Sequence, residues 1–371
     1  MSRKISALTA TVAAALMLAS CGTAAPNTTS DSVADNTAPT ASANPETPAG
    51  TGEEAEVVLV THDSFYLPEE LLAEFTADTG LEVSIVAPGG GGALANQLVL
   101  TKDAPLGDVV YGLDNTFAGR ALEAEVFAAY QSTAPAAADA AQYAIDDSGY
   151  LTAIDFSDVC LNIDEQWFIE QGKPVPVNFD DLLRPEFAGL TVVTNAATSS
   201  PGFAFLVATI GAKGDDWGTF WQGLVDNGLR VAEGWSEAYY VDFSGSGEGG
   251  QYPIALSYAS SPPATVAEGA DSPRTSALLN TCFRQVEYAG VLAGGQNPEG
   301  AQLLIDWLLS DEVQSALVEN MWMYPVSTAV ELPAEWASWA PLADQPWQVS
   351  PAEIETNRAD WISQWTEIVT G

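Results

Sequence analysis

The feature that most constrains the fold is a regular alternation of apolar strand-like runs and amphipathic helix-like segments near the start of the body of the chain. Strand, helix, strand, helix and strand are predicted in that order at 56–61, 67–79, 81–87, 93–101 and 108–113. Pro68 suits the first turn of the first helix, and Gly80 suits its C-terminal stop. Short connections between alternating elements predict a parallel, doubly wound α/β sheet.

A similar pattern continues through the rest of the chain. Further strands and helices are predicted at 191–194, 203–210, 215–227, 253–258, 298–309, 311–319 and 351–369. Two strand-like segments, 152–162 and 282–292, are suited to carry the chain between two lobes. We therefore expect lobe 1 to comprise 57–155 together with 283–371, and lobe 2 to comprise 156–282.

The N-terminal residues predict export and a lipid anchor. Residues 1–20 have the form of a signal peptide, with an apolar run at 7–19 that is too short to span a bilayer. The Leu-Ala-Ser-Cys sequence that ends at Cys21 has the form of a bacterial lipobox, in which the Cys thiol is acylated. An ordinary signal followed by an incidental Cys is the alternative. Residues 21–56 predict a disordered tether, so we expect an extracytoplasmic protein that reaches the membrane only through its lipid.

The Cys count predicts a disulfide. The chain contains three Cys, and acylation of Cys21 leaves Cys160 and Cys282 as an even pair. In an oxidising compartment such a pair is expected to be bonded. Two buried free thiols are the alternative.

The charge balance excludes one class of partner. The chain carries 50 Asp and Glu against 11 Lys and Arg, which gives a formal net charge of −39. Because such a chain cannot neutralise a phosphate backbone, nucleic acid is excluded. The negative field weakly favours a cationic solute, although its main effect is on solubility.

Sequence motifs for catalysis and for cofactors are absent. The chain has one His, His62, and its neighbours Asp63 and Ser64 are adjacent in sequence, which is not the geometry of a catalytic triad. No nucleotide-binding loop, dinucleotide fingerprint or zinc spacing is present. We therefore predict no catalytic residue, no metal and no cofactor.

Aromatic residues cluster at three loop edges. Trp235 and Tyr239 follow a Gly, Tyr258 ends a buried strand, and Trp322 and Tyr324 follow a helix. One aromatic residue in such a place is most often part of the core. Three clusters, one of them at the carboxyl end of a strand in an open α/β sheet, favour a ligand pocket.

A set of segments that spans about 57–369 carries a family resemblance. They are His62-Asp63-Ser64-Phe65, the run 108–115, Thr198-Ser199-Ser200-Pro201-Gly202, Gly234-Trp235-Ser236-Glu237-Ala238-Tyr239, Leu256-Ser257-Tyr258, Trp322-Met323-Tyr324-Pro325-Val326 and Trp361-Ile362-Ser363-Gln364-Trp365. In sequence and in order they resemble the thiamine-binding component of bacterial ABC importers. That family has the two-lobed type II periplasmic-binding-protein fold, in which each lobe is a doubly wound sheet flanked by helices and hinge strands lie between the lobes.

The resemblance implies a ligand, partners and a site. A monomer would close on thiamine or a thiamine phosphate and deliver it to the permease subunits of an ABC importer. Trp235, Tyr258 and Trp322 would stack on the two rings of the ligand, one of which is a permanent cation. Asp114 would accept from the exocyclic amine or offset the cation, unless it caps a helix. The implied ligand-binding residues are His62, Asp63, Gly91, Gly92, Asp114, Asn115, Ser199, Ser200, Gly202, Trp235, Tyr239, Tyr258, Ser260, Trp322 and Tyr324.

Two helix starts are expected to hold the tail of the ligand. The backbone amides of Gly91 and Gly92, and those at the start of the helix after Thr198, would bind a hydroxyl or phosphate group. The chain departs from the family at His62, where relatives usually carry an aromatic residue. It also has plain glycines before the second helix, where relatives carry an acidic residue and a Gly.

Three other functions stay open at this point. A ferric-ion binding protein has the same fold, and the adjacent tyrosines Tyr239 and Tyr240 are iron ligands in principle. A thiaminase-like enzyme also has this fold, but it needs a free Cys nucleophile. A binder of sulfate or polyamine makes less use of the aromatic clusters.

Overall fold

A computed structural model describes residues 55–246 and 249–371 of the chain. The predicted signal peptide, Cys21 and nearly all of the predicted tether lie outside the described residues. Within the described ranges, no helix combines the length and the apolar character that a membrane crossing requires.

Ten strands in the described part of the chain form one sheet. They are β1 (Ala55–Val60), β2 (Leu81–Val86), β3 (Val109–Asp114), β4 (Phe127–Ala128), β5 (Thr152–Asp164), β6 (Thr191–Thr194), β7 (Arg230–Ala232), β8 (Ile254–Tyr258), β9 (Thr275–Leu292) and β10 (Tyr324–Pro325). The α-helices of the same residues are α1 (Glu69–Thr79), α2 (Gly91–Leu100), α3 (Ala118–Glu123), α4 (Ala137–Ala140), α5 (Glu165–Gln171), α6 (Ser200–Lys213), α7 (Trp217–Asp226), α8 (Pro298–Leu308), α9 (Asp311–Ala316), α10 (Trp336–Trp339) and α11 (Pro351–Thr370).

The sheet consists of two parallel groups joined by antiparallel strands. Its order is β2-β1-β3-β9-β5-β8-β6-β7, with β4 paired to β9 and β10 paired to β5. The strands β2, β1 and β3 run parallel to one another, and so do β8, β6 and β7. The strands β9 and β5 are antiparallel to each other and to their outer neighbours β3 and β8. This arrangement agrees with the predicted two-lobed α/β fold.

The two long central strands carry the chain from one parallel group to the other. They pair along almost their whole length, from Thr152 opposite Ala289 to Asp164 opposite Thr275. One end of β9 pairs with β3, and one end of β5 pairs with β8. The segments predicted to carry the chain between the lobes lie within these strands, although β9 begins well before the predicted residue 282. The residue boundaries of the lobes stay a prediction.

Local sequence explains where the predicted helices begin and end. Gly80 has a φ of 72°, a left-handed conformation that suits glycine, and its N–H donates to the carbonyl of Thr76 and ends α1. At the other end of the chain, Ser350 caps α11 by accepting from the N–H of Glu353, and Pro351 occupies the first helical turn. The end of α1 follows the glycine signal that predicted it, and α11 begins at the first residue of its predicted range.

The C-terminal helix α11 packs against both halves of the structure. Trp365 lies edge-on to Trp221 of α7, with ring centroids 5.6 Å apart. The guanidinium of Arg358 lies 4.4 Å from the ring centroid of Phe117, just before α3, and 5.3 Å from that of Phe203 in α6. Because one helix contacts elements that follow strands of both parallel groups, it links the two groups.

Cys160 of β5 and Cys282 of β9 form the predicted disulfide. Both residues are fully buried, and because their sulfurs are bonded to each other the alternative of two free thiols is wrong. The pairing of the two strands shifts register beside this bond, between Val159 and Leu161. The N–H of Leu161 donates to the hydroxyl of Thr281 across the irregularity, at 3.0 Å. The disulfide therefore fixes the central strand pair where its regular hydrogen bonding is interrupted.

We expect the double substitution Cys160→Ala with Cys282→Ala to lower the free energy of unfolding by about 4–5 kcal/mol, because the bond closes a long loop in the unfolded chain. The separation of the two Cys is 122 residues. Urea denaturation of both proteins measures the difference. Adding a reductant should destabilise the wild type by a similar amount and leave the double variant unchanged. An equal effect of the reductant on both would contradict the prediction.

Candidate ligand-binding site

A cavity of about 510 Å³ lies where loops from both parallel groups meet. Its walls include the loop after β1, the start of α2, the start of α6, the loop after β7, the end of β8 and the segment before β10. The volume is in the usual range for sites that bind small molecules. Because ligands of open α/β sheets bind beyond the carboxyl ends of the strands, this is the expected place for a site.

One wall of the cavity is aromatic and rigidly held. The rings of Trp235 and Tyr239 stack 5.0 Å apart, at an interplanar angle of 12°. The indole N–H of Trp235 donates to the hydroxyl of Ser257 at 2.9 Å, and the ring of Tyr258 lies 6.4 Å away. A flat group that enters the cavity therefore meets ring surfaces whose orientation is already set.

A second aromatic residue, Trp322, lines the cavity from the segment before β10. It has a φ of 55°, an uncommon backbone conformation for a bulky residue, and follows a π-helical turn at Leu317–Met321. Its ring stacks on Trp336 at 6.4 Å, with an interplanar angle of 7°. Unusual backbone held by stacking is typical of functional segments, and here it presents an indole to the cavity.

The starts of α2 and α6 come together at the side of the cavity. The N–H of Gly92 donates to the carbonyl of Thr198 at 3.2 Å. A Cβ at position 92 would lie 2.8 Å from the carbonyl oxygen of Ala197, and one at position 91 would meet the Ser200 hydroxyl. Only glycine permits this approach. The glycine run therefore allows α2, which follows β2, to contact α6, which follows β6 in the other parallel group.

Asp114 lies directly behind this contact and is fully buried. One carboxylate oxygen accepts from the N–H and the hydroxyl of Thr116, and the other accepts from the hydroxyl of Ser200. Burial raises the pKa of Asp114, although these hydrogen bonds lower it in part. Because its oxygens already have protein partners, Asp114 joins the end of β3 to the start of α6.

Glu287 of β9 lines the floor of the cavity and was not among the predicted residues. One carboxylate oxygen accepts from the side-chain amide of Gln285 at 3.0 Å. The other lies 3.5 Å from Nε2 of His62 and has no hydrogen-bond partner among the described residues. A Glu inside the apolar strand 282–292 was the sequence signal that could have identified it, because a buried carboxylate without a partner is costly.

The structure separates the predicted ligand-binding residues into two groups. Those that line the cavity are His62, Asp63, Gly91, Ser199, Ser200, Trp235, Tyr239, Tyr258 and Trp322. Those that lie behind its walls are Gly92, Asp114, Asn115, Gly202, Ser260 and Tyr324. The role of each residue in ligand binding stays a prediction.

Several residues of the second group have structural partners of their own. The side chain of Asn115 bonds the backbone of Arg284 and Val286, at 3.1 Å each. The hydroxyl of Ser260 lies 2.8 Å from that of Ser157. Tyr324 packs edge-on against Trp336, with ring centroids 4.9 Å apart. These contacts fix the positions of the walls.

Among the described residues, the charged side chains that line the cavity are acidic. Asp63, Glu233 and Glu287 line it, whereas no Lys or Arg of the described residues does. The described residues also contain no group of three or more His, Cys, Asp or Glu arranged to hold a metal ion. A planar cation is the class of ligand that aromatic faces and carboxylates together recognise.

We expect Gly92→Ala to lower the free energy of unfolding by about 1–3 kcal/mol, because the added methyl group is forced against the backbone of the 197–198 segment. Gly218→Ala is the matched control, since its methyl group would have 3.6 Å to the nearest atom and would lie within α7. The control should be neutral or more stable by about 1 kcal/mol. Thermal unfolding of both variants measures this, and a stable Gly92→Ala protein would show that the contact is not close.

Comparison with known proteins relates this architecture to a family. A family model described as bacterial extracellular solute-binding protein matches residues 104–349. The thiamine-binding periplasmic protein of Escherichia coli (strain K12) is 28% identical over 320 residues, which cover 85% of this chain and 93% of that protein.

Two solved structures are also similar to this chain. A periplasmic thiamin binding protein matches with a TM-score of 0.74 and 27% identity, over 87% of this chain and 98% of that one. Iron-bound HitA from Pseudomonas aeruginosa matches with a TM-score of 0.68 and 20% identity, over 85% of this chain and 99% of that one, and is similar in fold alone. This chain belongs to the family of bacterial extracellular solute-binding proteins.

Proposed function

We propose that this protein captures thiamine outside the cell membrane and delivers it to an ABC importer. The observation that carries the proposal is the composition of the cavity, with aromatic faces from separate segments, carboxylates, and no Lys or Arg among the described lining residues. Relatives named as thiamine-binding periplasmic proteins support it, because they are similar over most of the chain.

The chemistry of thiamine suits this cavity. Its thiazolium ring is a permanent cation, and its aminopyrimidine ring is flat. The face of a Trp attracts a cation more strongly than that of any other side chain, and the attraction increases when water is excluded. Trp235 and Tyr258 on one wall, and Trp322 on another, supply faces for both rings. A ligand between them would replace water on two flat surfaces at once.

The tail of thiamine would lie at the two helix starts. Ser199 and Ser200 at the start of α6, and Gly91 at the start of α2, line the cavity. Free N–H groups at a helix start bind a hydroxyl or phosphate oxygen. The phosphates of thiamine are therefore also ligands in this proposal, bound through N–H groups at the helix starts.

Two of the other functions have less support from the structure. A thiaminase-like nucleophile would have to be a free Cys, whereas Cys160 and Cys282 are bonded to each other. Iron ligation by Tyr239 and Tyr240 requires phenolates, whereas burial raises the pKa of both phenols. We therefore propose binding and delivery without catalysis.

The place of action is proposed from the sequence and the relatives. The relatives are named as periplasmic proteins. The signal peptide and the acylation of Cys21 remain proposals, because these residues lie outside the described part of the chain. Lipid attachment would be detected as the mass of the acyl groups on an N-terminal peptide that begins at Cys21.

We expect calorimetry to detect thiamine binding at nanomolar to low-micromolar concentrations, and Trp322→Ala or Tyr258→Ala to weaken it about 10- to 100-fold. The reason is that each substitution removes one ring face from the ligand. Trp347→Ala is the matched control, because Trp347 is 38% exposed and does not line the cavity. Its affinity for thiamine should be that of the wild type.

Ferric citrate, thiamine monophosphate and thiamine diphosphate are titrated in the same way. Tight binding of iron with a visible charge-transfer band, and no heat with any thiamine compound, would contradict the proposed ligand and leave the solute-binding family unchanged. Turnover of thiamine would contradict the proposal that the protein is not an enzyme.

A further inference from the structure

The floor of the cavity contains an unusual pair of side chains. Nε2 of His62 and one carboxylate oxygen of Glu287 lie 3.5 Å apart, and neither atom has a hydrogen-bond partner among the described residues. The separation is longer than a normal hydrogen bond. The His62 side chain is 10% exposed and that of Glu287 is 6% exposed, so little water reaches either group. Both line the cavity.

The other ring nitrogen of His62 is already occupied. Nδ1 accepts from the N–H of Ser64 at 3.2 Å, so the proton of the neutral ring lies on Nε2 and faces Glu287. A second proton would have to bind to Nδ1, where it would oppose the Ser64 N–H. Protonation would therefore strengthen the attraction to Glu287 and remove a hydrogen bond from the 62–64 loop, which itself lines the cavity.

The groups that face His62 favour its protonation. They are Glu287 on β9, Asp63 in the same loop and Asp114 at the end of β3, while the neutral phenol of Tyr111 lies 6.1 Å from the imidazole ring. Burial lowers the pKa of His62, but these carboxylates outweigh burial and raise it above its ordinary value of 6.5. The imidazole therefore keeps its proton to a higher pH than an ordinary His does.

We propose that Glu287 is the carboxylate that faces the cationic ligand at the floor of the cavity, and that a proton on His62 competes with the ligand for it. This rests on the proposed function, because the competition requires a cation. Neutral His62 leaves the charge of Glu287 to the ligand. Protonated His62 pairs with Glu287 and repels the cation, so affinity decreases as the pH falls.

Because the proton and the ligand compete, bound ligand should also lower the pKa of His62, and this effect provides the first test. His62 is the one His of the chain, so its ring C–H resonances are assigned directly in the intact protein by NMR. We expect His62 to titrate with a pKa above about 6.5 without ligand, and at lower pH when thiamine is bound. Glu287→Gln should lower the pKa of His62 in the ligand-free protein. An unchanged titration in Glu287→Gln, or one unchanged by thiamine, overturns the proposal.

The second test is the affinity for thiamine between about pH 6 and pH 8.5. Because the pKa of His62 is raised, its protonation increases as the pH falls through this range, and the wild-type affinity should fall at least about fourfold. In His62→Gln the slope should disappear, whatever its affinity at high pH. In Glu287→Gln the affinity should be at least about tenfold lower at high pH, and its further fall should begin at a lower pH than in the wild type, because His62 then holds a proton less readily.

The outcomes separate this proposal from the proposed function. Thiamine binding with a flat pH profile in the wild type, or with the same slope in His62→Gln, overturns the role of His62 and leaves thiamine as the ligand. Absence of thiamine binding at about pH 8.5 overturns the proposed function, and this proposal with it.

Discussion

The antiparallel pairing of β5 with β9 is the interaction on which the rest of the structure depends. These two strands lie at the centre of the sheet order, and each parallel group attaches to the outer side of one of them. The disulfide joins them beside their register shift. The cavity requires this arrangement, because its floor residue Glu287 belongs to β9 and its wall residue Tyr258 ends β8, which pairs with β5. A displacement of the central pair would therefore move the floor and one wall of the cavity together.

The cavity combines fixed aromatic walls with a polar floor. Trp235 is fixed by a stacked ring and a hydrogen bond, and Trp322 by its stacking on Trp336. The helix starts of α2 and α6 touch through glycine and serine, so their approach depends on small side chains. The polar floor contains atoms that have no hydrogen-bond partner within residues 55–246 and 249–371, and such atoms are costly unless a ligand or water satisfies them. Such an arrangement suits the proposed flat cation, through shape at the walls and through charge at the floor.

Much of the fold follows from patterns that the sequence displays, and the departures have physical reasons. The alternation that predicted β1, α1, β2, α2 and β3 is local, so short windows of sequence reveal it. The early start of β9 was not predicted, because Thr275–Thr281 is a mixed polar and apolar run that becomes a strand by pairing with the distant β5. Glu287 was missed for a related reason. The role of a charged residue within an apolar strand depends on its neighbours in space, such as His62, which is far away in sequence. Aromatic residues close in sequence also differ in position, since Trp322 lines the cavity and Tyr324 packs in β10.

The strand order has a consequence for how the chain reaches this structure. Each outer parallel group is built from strands that are near one another in sequence, β1 to β3 in one case and β6 to β8 in the other. The central pair instead joins Asp155 to Glu287 and Thr152 to Ala289, and the chain between them contains the whole of the group β6 to β8. Closing so long a loop costs entropy before any contact compensates for it, and distant pairings slow folding. We therefore expect the outer groups to form first, as separate nuclei, and the centre of the sheet, with the floor of its cavity, to be assembled last.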